Sequence, residues 1–178
     1  MAQDENALLD RKPQVAIRPA RIGDGEQLYP LIRAYLEETK GGSFLPTQQN
    51  GCAFLMLALD GAHEGDPCLV AEVDGKLVGY MLCRGVPLMG FETNERPCRG
   101  YGTYVLPEYR QRGLEKGIAM QLFEAGILIA QSQGYTSYQM IATFKDSSLH
   151  GIRLLQRAGA KITGSVYEVD LTEDWKLR

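Results

Sequence analysis

The sequence predicts an α/β (α+β) fold, a mixed sheet of about six or seven strands with helices on both faces. Asp74-Gly75 separates two apolar segments, which is the strongest short-range signal for a β-hairpin. Apolar residues at helical spacing then fill the long segment Gly113–Gln133, which predicts an amphipathic helix. Strands and helices alternate from there to the C-terminus, as is typical of parallel strand pairing, so the predicted sheet contains both kinds of pairing.

The elements are predicted in the order β-α-α-β-β-β-α-β-α-β. Asp24, with Gln27 three residues later, indicates a capping box at the start of the first helix. Pro30 lies inside that helical pattern and predicts a kink or a later start, and Gly41-Gly42 ends the helix. The predicted strands are Val15–Pro19, Leu69–Val73, Lys76–Arg84, Arg99–Leu106, Tyr138–Thr143 and Lys161–Leu171, and the later helices cover residues 47–60, Gly113–Gln133 and Ser147–Arg157. A ligand is expected where the sheet changes from antiparallel to parallel pairing.

Length and composition indicate one soluble domain of ordinary globular type. The 178 residues are 44% apolar and 23% charged, which suffices for one packed core. We assign residues 1–13 to a polar tail and residues 14–178 to the domain. The net charge of −3 and the pI of about 5.5 do not favour binding to nucleic acid or to an anionic membrane. The N-terminus lacks a signal-peptide pattern, and the longest apolar run, Phe54–Leu59, is too short to span a bilayer.

The cysteines predict neither a metal site nor a redox motif. Cys52, Cys68, Cys83 and Cys98 contain no CxxC pair, and their spacing with the two histidines does not fit zinc ligation. Reduced cysteines that pack as small apolar residues explain the pattern better. A cytoplasmic location is therefore expected.

A basic turn between a strand and a long helix is the strongest candidate for chemistry. The segment Tyr104–Gly117 places Arg110, Arg112 and Lys116 around Gly113. A helix N-terminus has unpaired N–H groups and a partial positive charge, so it attracts anions, and a glycine leaves room for a phosphate. The turn therefore indicates either a pyrophosphate cradle or an ordinary basic turn.

Several segments, in order and spacing, resemble the GNAT N-acetyltransferase superfamily. The strand, proline and Glu-Tyr-Arg followed by Arg-x-x-Gly-x-x-x-Gly are similar to its acetyl-CoA motif, Gln/Arg-x-x-Gly-x-Gly/Ala. Three further likenesses extend over nearly the whole chain: Ile17-Arg-Pro-Ala, the hairpin Val-Asp-Gly-Lys-Leu-Val-Gly and Arg157-Ala-Gly-Ala-Lys. The resemblance implies a GNAT-like acyltransferase domain that uses acetyl-CoA as co-substrate. It also implies direct attack on the thioester by an amine, which belongs to a small molecule or a protein.

The resemblance also implies site residues. Arg110 matches the Gln/Arg position and Gly113 the first glycine, and the pyrophosphate would be held by backbone N–H groups of Gln111, Arg112, Gly113, Leu114, Glu115 and Lys116. Tyr104, Val105 and Leu106 match the strand end that pairs with pantetheine, where Val105 or Leu106 would donate its N–H to the thioester carbonyl. The strand Gln139–Ile141 would splay away to admit the cofactor. Tyr101 and Tyr104 are candidates to line the acceptor channel.

The chain departs from the family pattern at three positions. Glu115 stands where the family has Gly or Ala, and a carboxylate there would either repel a pyrophosphate or turn outward as a first-turn acid. Leu155 replaces a tyrosine that protonates the leaving thiolate in many members, and Ser148 replaces a common asparagine. The candidate catalytic residues are therefore Glu92 and Glu95 as bases and Tyr138 as a substitute acid, with Glu37, Glu38 and His150 as further candidates.

Two functions follow from these residues. One is an acetyl-CoA-dependent N-acetyltransferase. The other is a catalytically inactive GNAT-fold protein that serves as a binding or structural subunit of an assembly, docked through its N-terminal tail. The sequence leaves the acceptor and the oligomeric state open, with a homodimer as one alternative.

Overall fold

Five strands form one sheet in the order β1-β2-β3-β4-β5. They are β1 (Val15–Pro19), β2 (Leu69–Val73), β3 (Lys76–Gly85), β4 (Pro97–Val105) and β5 (Ser137–Met140). The computed structural model describes residues 14–39, 47–85, 96–110 and 117–140, all within one compact unit, Met1–Ile141. The first four strands pair antiparallel and β5 pairs parallel with β4, which confirms the predicted mixed sheet.

The hairpin of β2 and β3 turns at Asp74-Gly75, as predicted. Both residues have positive φ, 50° and 78°, which is the backbone that a two-residue hairpin turn requires. Gln27 secures this hairpin, because its side-chain oxygen accepts the N–H of Leu77 at 2.9 Å. The predicted capping box is therefore wrong: Gln27 binds the sheet, and Asp24 makes no side-chain cap to its helix.

Three helices accompany the sheet: α1 (Gly25–Glu38), α2 (Gln48–Glu64) and α3 (Ile118–Ser132). Helix α1 continues through Pro30. Helix α2 begins where the Thr47 hydroxyl accepts the N–H of Asn50 and extends to Glu64, beyond the predicted end at residue 60. Helix α3 begins at Ile118 with Gly117 as its N-cap, later than the predicted start at Gly113.

The helices cover opposite faces of the sheet. Tyr80 of β3 packs its ring against Tyr35 of α1, with the ring centroids 6.2 Å apart. The next residue, Met81, lies against Gly126 of α3, where an added Cβ would stand only 2.7 Å from the Met81 Cε. Because successive strand residues point to opposite faces, α1 and α3 lie on different sides of β3.

One hydrophobic cluster lies between the sheet and helices α1 and α2. Its largest members include Leu28, Ile32, Leu36, Phe54, Val70, Tyr80 and Leu82. The strand predicted at Lys161–Leu171 and the helix predicted at Ser147–Arg157 lie outside the described residues. Within the described ranges, no helix is long and apolar enough to cross a membrane.

Candidate functional site

The second half of β4 lies at the place where the sheet changes its pairing. Strand β5 pairs with the first residues of β4, from Pro97↔Ser137 to Gly100↔Met140. From Gly102 to Val105, β4 pairs only with β3 among the residues that the structure describes. This half of β4 therefore presents one unpaired edge within the described part of the chain, at the predicted change from antiparallel to parallel pairing.

The register determines which N–H groups point toward that edge. The Leu106 N–H donates to the Val78 carbonyl at 2.9 Å, so Leu106 occupies a hydrogen-bonded position against β3. Val105 pairs with Gly79 at the alternate position, where N–H and carbonyl both point away from the neighbouring strand. Of the two predicted donors, Val105 thus directs its N–H to the unpaired edge, whereas the Leu106 N–H is engaged by β3.

A cavity of about 250 Å³ opens at this edge, between the last turn of α1 and the first turn of α3. Its lining consists of Tyr35, Glu38 and Thr39 from the end of α1, Thr103, Tyr104 and Val105 from β4, and Arg110 and Ala119. Ala119 belongs to the first turn of α3, so the positive end of that helix dipole lies beside the cavity. The structure thus brings together three of the predicted site residues, Tyr104, Val105 and Arg110.

Arg110 holds three partners at the mouth of this cavity. Its terminal nitrogens donate to both carboxylate oxygens of Glu38, at 2.8 and 2.6 Å, and its Nε donates to the Val105 carbonyl at 2.7 Å. The guanidinium also lies over the Tyr104 ring, 5.2 Å from the centroid. The hydrogen bonds that Arg110 donates to Glu38 raise the pKa of Arg110 above its usual value. The positive charge expected here is therefore neutralised locally by a carboxylate.

The sequence did not predict the ion pair of Glu38 and Arg110, because the two residues are 72 positions apart. It also missed Tyr35 as a lining residue, although its place in the helical pattern of α1 put it on the inward face. Tyr35, Tyr80 and Tyr104 form an aromatic group with centroids 6.2–6.5 Å apart. Burial raises the pKa of each of these hydroxyls, so all three stay neutral near pH 7.

Tyr101 and Tyr138 lie elsewhere than the cavity lining. The Tyr101 carbonyl accepts the Tyr35 hydroxyl at 3.3 Å, and its side chain packs against the core. The Tyr138 hydroxyl lies 2.9 Å from the Cys83 sulfur, and its ring meets Phe123 of α3 edge-on at 5.4 Å. Burial raises the pKa of Tyr138 strongly. The role of Tyr138 as an acid stays a prediction.

Several predicted site residues lie outside the described residues. These are Glu92, Glu95, Gln111, Arg112, Gly113, Leu114, Glu115 and Lys116, with Ser148, His150 and Leu155. In the described ranges, no group of three or more His, Cys, Asp or Glu side chains could hold a metal ion.

Comparison with known proteins identifies the family. The family model described as the acetyltransferase (GNAT) family matches residues 26–160, which is most of the chain. The chain therefore belongs to the GNAT acetyltransferase family. The mixed sheet with helices on both faces agrees with that membership.

Solved structures share this fold at low sequence identity. AAC(6')-Iy, in complex with the bisubstrate analog CoA-S-monomethyl-acetylneamine, is 19% identical over 88% of this chain and 97% of its own, with a TM-score of 0.63. The ribosomal-protein-alanine N-acetyltransferase from Brucella melitensis biovar Abortus 2308 is 20% identical over 89% and 100%, with a TM-score of 0.62. The aminoglycoside acetyltransferase meta-AAC0020 from an uncultured soil metagenomic sample, in complex with sisomicin, is 15% identical over 88% and 96%, with a TM-score of 0.61.

Proposed function

We propose that this protein transfers an acetyl group from acetyl-CoA to an amine by direct attack of the amine on the thioester. The observation that carries the proposal is the Val105 N–H, which points from the unpaired edge of β4 toward a cavity between α1 and α3. A donor fixed at this place stabilises the negative charge that develops on the thioester carbonyl during attack. Related folds crystallised with a CoA bisubstrate analog support acetyl-CoA as the co-substrate.

The cofactor would lie along the unpaired edge, with its phosphates at the predicted backbone donors Gln111–Lys116. Tyr104 and Val105 would flank the pantetheine, since both line the cavity. The amine would enter from the α1 side, where Glu38 supplies a carboxylate and Tyr35 and Thr39 supply hydroxyl groups. Glu92 and Glu95 remain the proposed bases.

The acceptor is a small-molecule or protein amine. Similar folds act on both kinds, since one structure is named as an aminoglycoside acetyltransferase and another as a ribosomal-protein-alanine N-acetyltransferase. Both assignments belong to those proteins. In this chain, the cavity lining contains one carboxylate and four hydroxyl-bearing residues around a paired arginine, which suits a polar amine.

A second candidate function is a GNAT-fold subunit that binds without catalysis. The ion pair of Arg110 and Glu38 favours it, because it removes one of the positive charges expected beside a pyrophosphate. Glu115 adds a carboxylate to the same turn. A docked N-terminal tail and a homodimer remain part of this second proposal.

Release of CoA from acetyl-CoA tests the choice between the two functions. The purified protein is incubated with acetyl-CoA and, in separate reactions, with sisomicin, with a peptide bearing an N-terminal alanine and with a polyamine. Acceptor-dependent release supports acetyl transfer. Glu115→Gly is the companion variant: if only the variant binds acetyl-CoA, the native turn is degenerate and the second function is correct.

A further inference from the structure

Arg110 joins two elements at the mouth of the cavity. Through Glu38 it contacts the last turn of α1, through the Val105 carbonyl it contacts β4, and its own backbone follows that strand. The guanidinium is planar and its donors form a rigid fork, so two bonds to one carboxylate fix its orientation. Of the donors that remain, the Nε–H is directed at the Val105 carbonyl.

We propose that Glu38 and Arg110 form a clamp that orients the Val105 backbone toward the acetyl thioester. The two side chains are then positioning residues, and Arg110 is not a ligand of the cofactor phosphates. This inference rests on the proposed function, because it concerns the donor to the thioester carbonyl. It names a role that neither the motif at Arg110–Gly117 nor the family model specifies.

The strand geometry explains how a bond to the carbonyl affects the N–H. At the alternate position of an antiparallel pair, the N–H and the carbonyl of one residue point to the same side of the strand. Holding the Val105 carbonyl therefore also sets the direction of the Val105 N–H. No hydrogen bond to β3 fixes that direction, because in this register Leu106 and Tyr104 occupy the hydrogen-bonded positions and Val105 lies between them.

The clamp contributes to orientation more than to folding. The side chains of Arg110 and Glu38 are 39% and 50% exposed, and ion pairs with this exposure contribute little to stability. The Tyr104 ring beneath the guanidinium provides a cation–π contact that limits its movement. Variants of the clamp should consequently fold normally, and they should differ from the native chain in their preference for acetyl-CoA over CoA.

The discriminating measurement is the ratio of the Kd values for CoA and acetyl-CoA, obtained by calorimetry. One net hydrogen bond to the thioester carbonyl predicts about five-fold tighter binding of acetyl-CoA by the native chain. Glu38→Gln removes the charge and Arg110→Lys removes the fork and the Nε donor. Both variants are expected to lower the ratio to about one, while the Kd for CoA itself changes less than about two-fold.

Two control variants make the same chemical changes on α1 away from the cavity. Glu26→Gln alters an exposed carboxylate in the first turn, and Arg33→Lys alters the surface pair with Glu37, whose N···O distance is 3.1 Å. Both controls should keep the native ratio. In ¹H–¹⁵N spectra of the free protein, the Val105 amide should shift in the two clamp variants and stay in place in the controls.

The outcomes separate the clamp from the proposed function. If the native chain binds neither CoA nor acetyl-CoA, the proposed function fails and the clamp fails with it. If the native chain prefers acetyl-CoA and both clamp variants keep that preference, only the clamp is refuted. Equal binding of CoA and acetyl-CoA by the native chain also refutes it, because Val105 then donates nothing to the thioester.

Discussion

The Tyr138 hydroxyl lies 2.9 Å from the Cys83 sulfur, and the ring packs edge-on against Phe123, which fixes this side chain against α3. Its chemistry suits a proton donor, but these contacts favour packing, and the residue does not line the cavity. We expect Tyr138→Phe to keep the rate of acetyl transfer within about two-fold and to lower the free energy of unfolding by about 1 kcal/mol. Steady-state kinetics and urea denaturation measure the two effects.

A different kinetic result would support the predicted acid role of Tyr138. A fall in kcat of roughly tenfold or more, with an unchanged Kd for acetyl-CoA, would mean that the hydroxyl acts in the transition state. Tyr104→Phe provides the comparison, because that hydroxyl-bearing side chain lines the cavity.

At the scale of elements, the junction of β3 and β4 depends on Gly79. A Cβ at this position would stand 2.8 Å from the Tyr104 carbonyl oxygen and 3.1 Å from the Val105 Cγ2. The carbonyl belongs to the backbone and cannot rotate aside, so the two strands would have to move apart. Gly79→Ala is expected to lower the free energy of unfolding by about 1–3 kcal/mol and to weaken acetyl-CoA binding, because Val105 would shift.

Gly25→Ala is the matched control for this substitution. Gly25 has φ near −52° at the start of α1, and an added Cβ there meets nothing within 4 Å. Chemical denaturation and acetyl-CoA titration should show almost no change in this variant. An equal loss of binding in both variants would contradict the importance of the β3–β4 contact.

The elements also show which parts of the fold the sequence predicts. The hairpin at Asp74-Gly75 and the first strand depend on neighbouring residues, so local patterns located them. The prediction of a capping box was wrong because the Gln27 side chain accepts a hydrogen bond from Leu77 in the sheet. The start of α3 was also misplaced, because the helix begins at Ile118 after Gly117, an N-cap residue with no side chain to mark that start.

The site was predicted only where its residues are contiguous. The segment Tyr104–Leu106 follows from its motif, but the choice between Val105 and Leu106 depends on register against β3, which a single strand does not encode. The pairing of Arg110 with Glu38 depends on packing between distant segments. Neither feature leaves a local signal in the sequence.

At the scale of the whole molecule, a charged group ties the start of α1 to the sheet. Asp24 accepts two hydrogen bonds from Arg18 of β1, at 2.8 and 2.9 Å, and Arg18 also binds Glu72 of β2 at 2.9 Å. The Asp24 side chain is only 10% exposed. The hydrogen bonds from Arg18, opposed by burial, hold the pKa of Asp24 below its ordinary value.

This arrangement predicts a loss of stability in acid. A carboxylate with a lowered pKa contributes fully above its unfolded value of about 4, and the contribution falls as the pH drops through the folded pKa. Asp24→Asn should lower the free energy of unfolding at pH 7 by about 1–3 kcal/mol and reduce its dependence on pH below about 4. Asp60→Asn, which changes an exposed carboxylate, is the control and should keep the native dependence of stability on pH. If the free energy of unfolding of Asp24→Asn depends on pH as that of the native chain does, the prediction is contradicted.

Family membership determines the architecture of the molecule, whereas the residues of the site determine which acceptor it uses. Solved structures with the same fold carry names as different as aminoglycoside acetyltransferase and ribosomal-protein-alanine N-acetyltransferase. Function on a shared fold is set by the site. In this chain, the described part of the site contains the ion pair of Glu38 and Arg110 and the tyrosines beside it.

Calorimetric titration with acetyl-CoA, paired with a thermal melt, tests the central claim most directly. We expect binding in the micromolar range and a melting temperature that rises with ligand concentration, because a ligand that binds only the folded state stabilises it. No heat of binding and no thermal shift at millimolar acetyl-CoA would contradict the claim that the unpaired edge of β4 is an acetyl-CoA site.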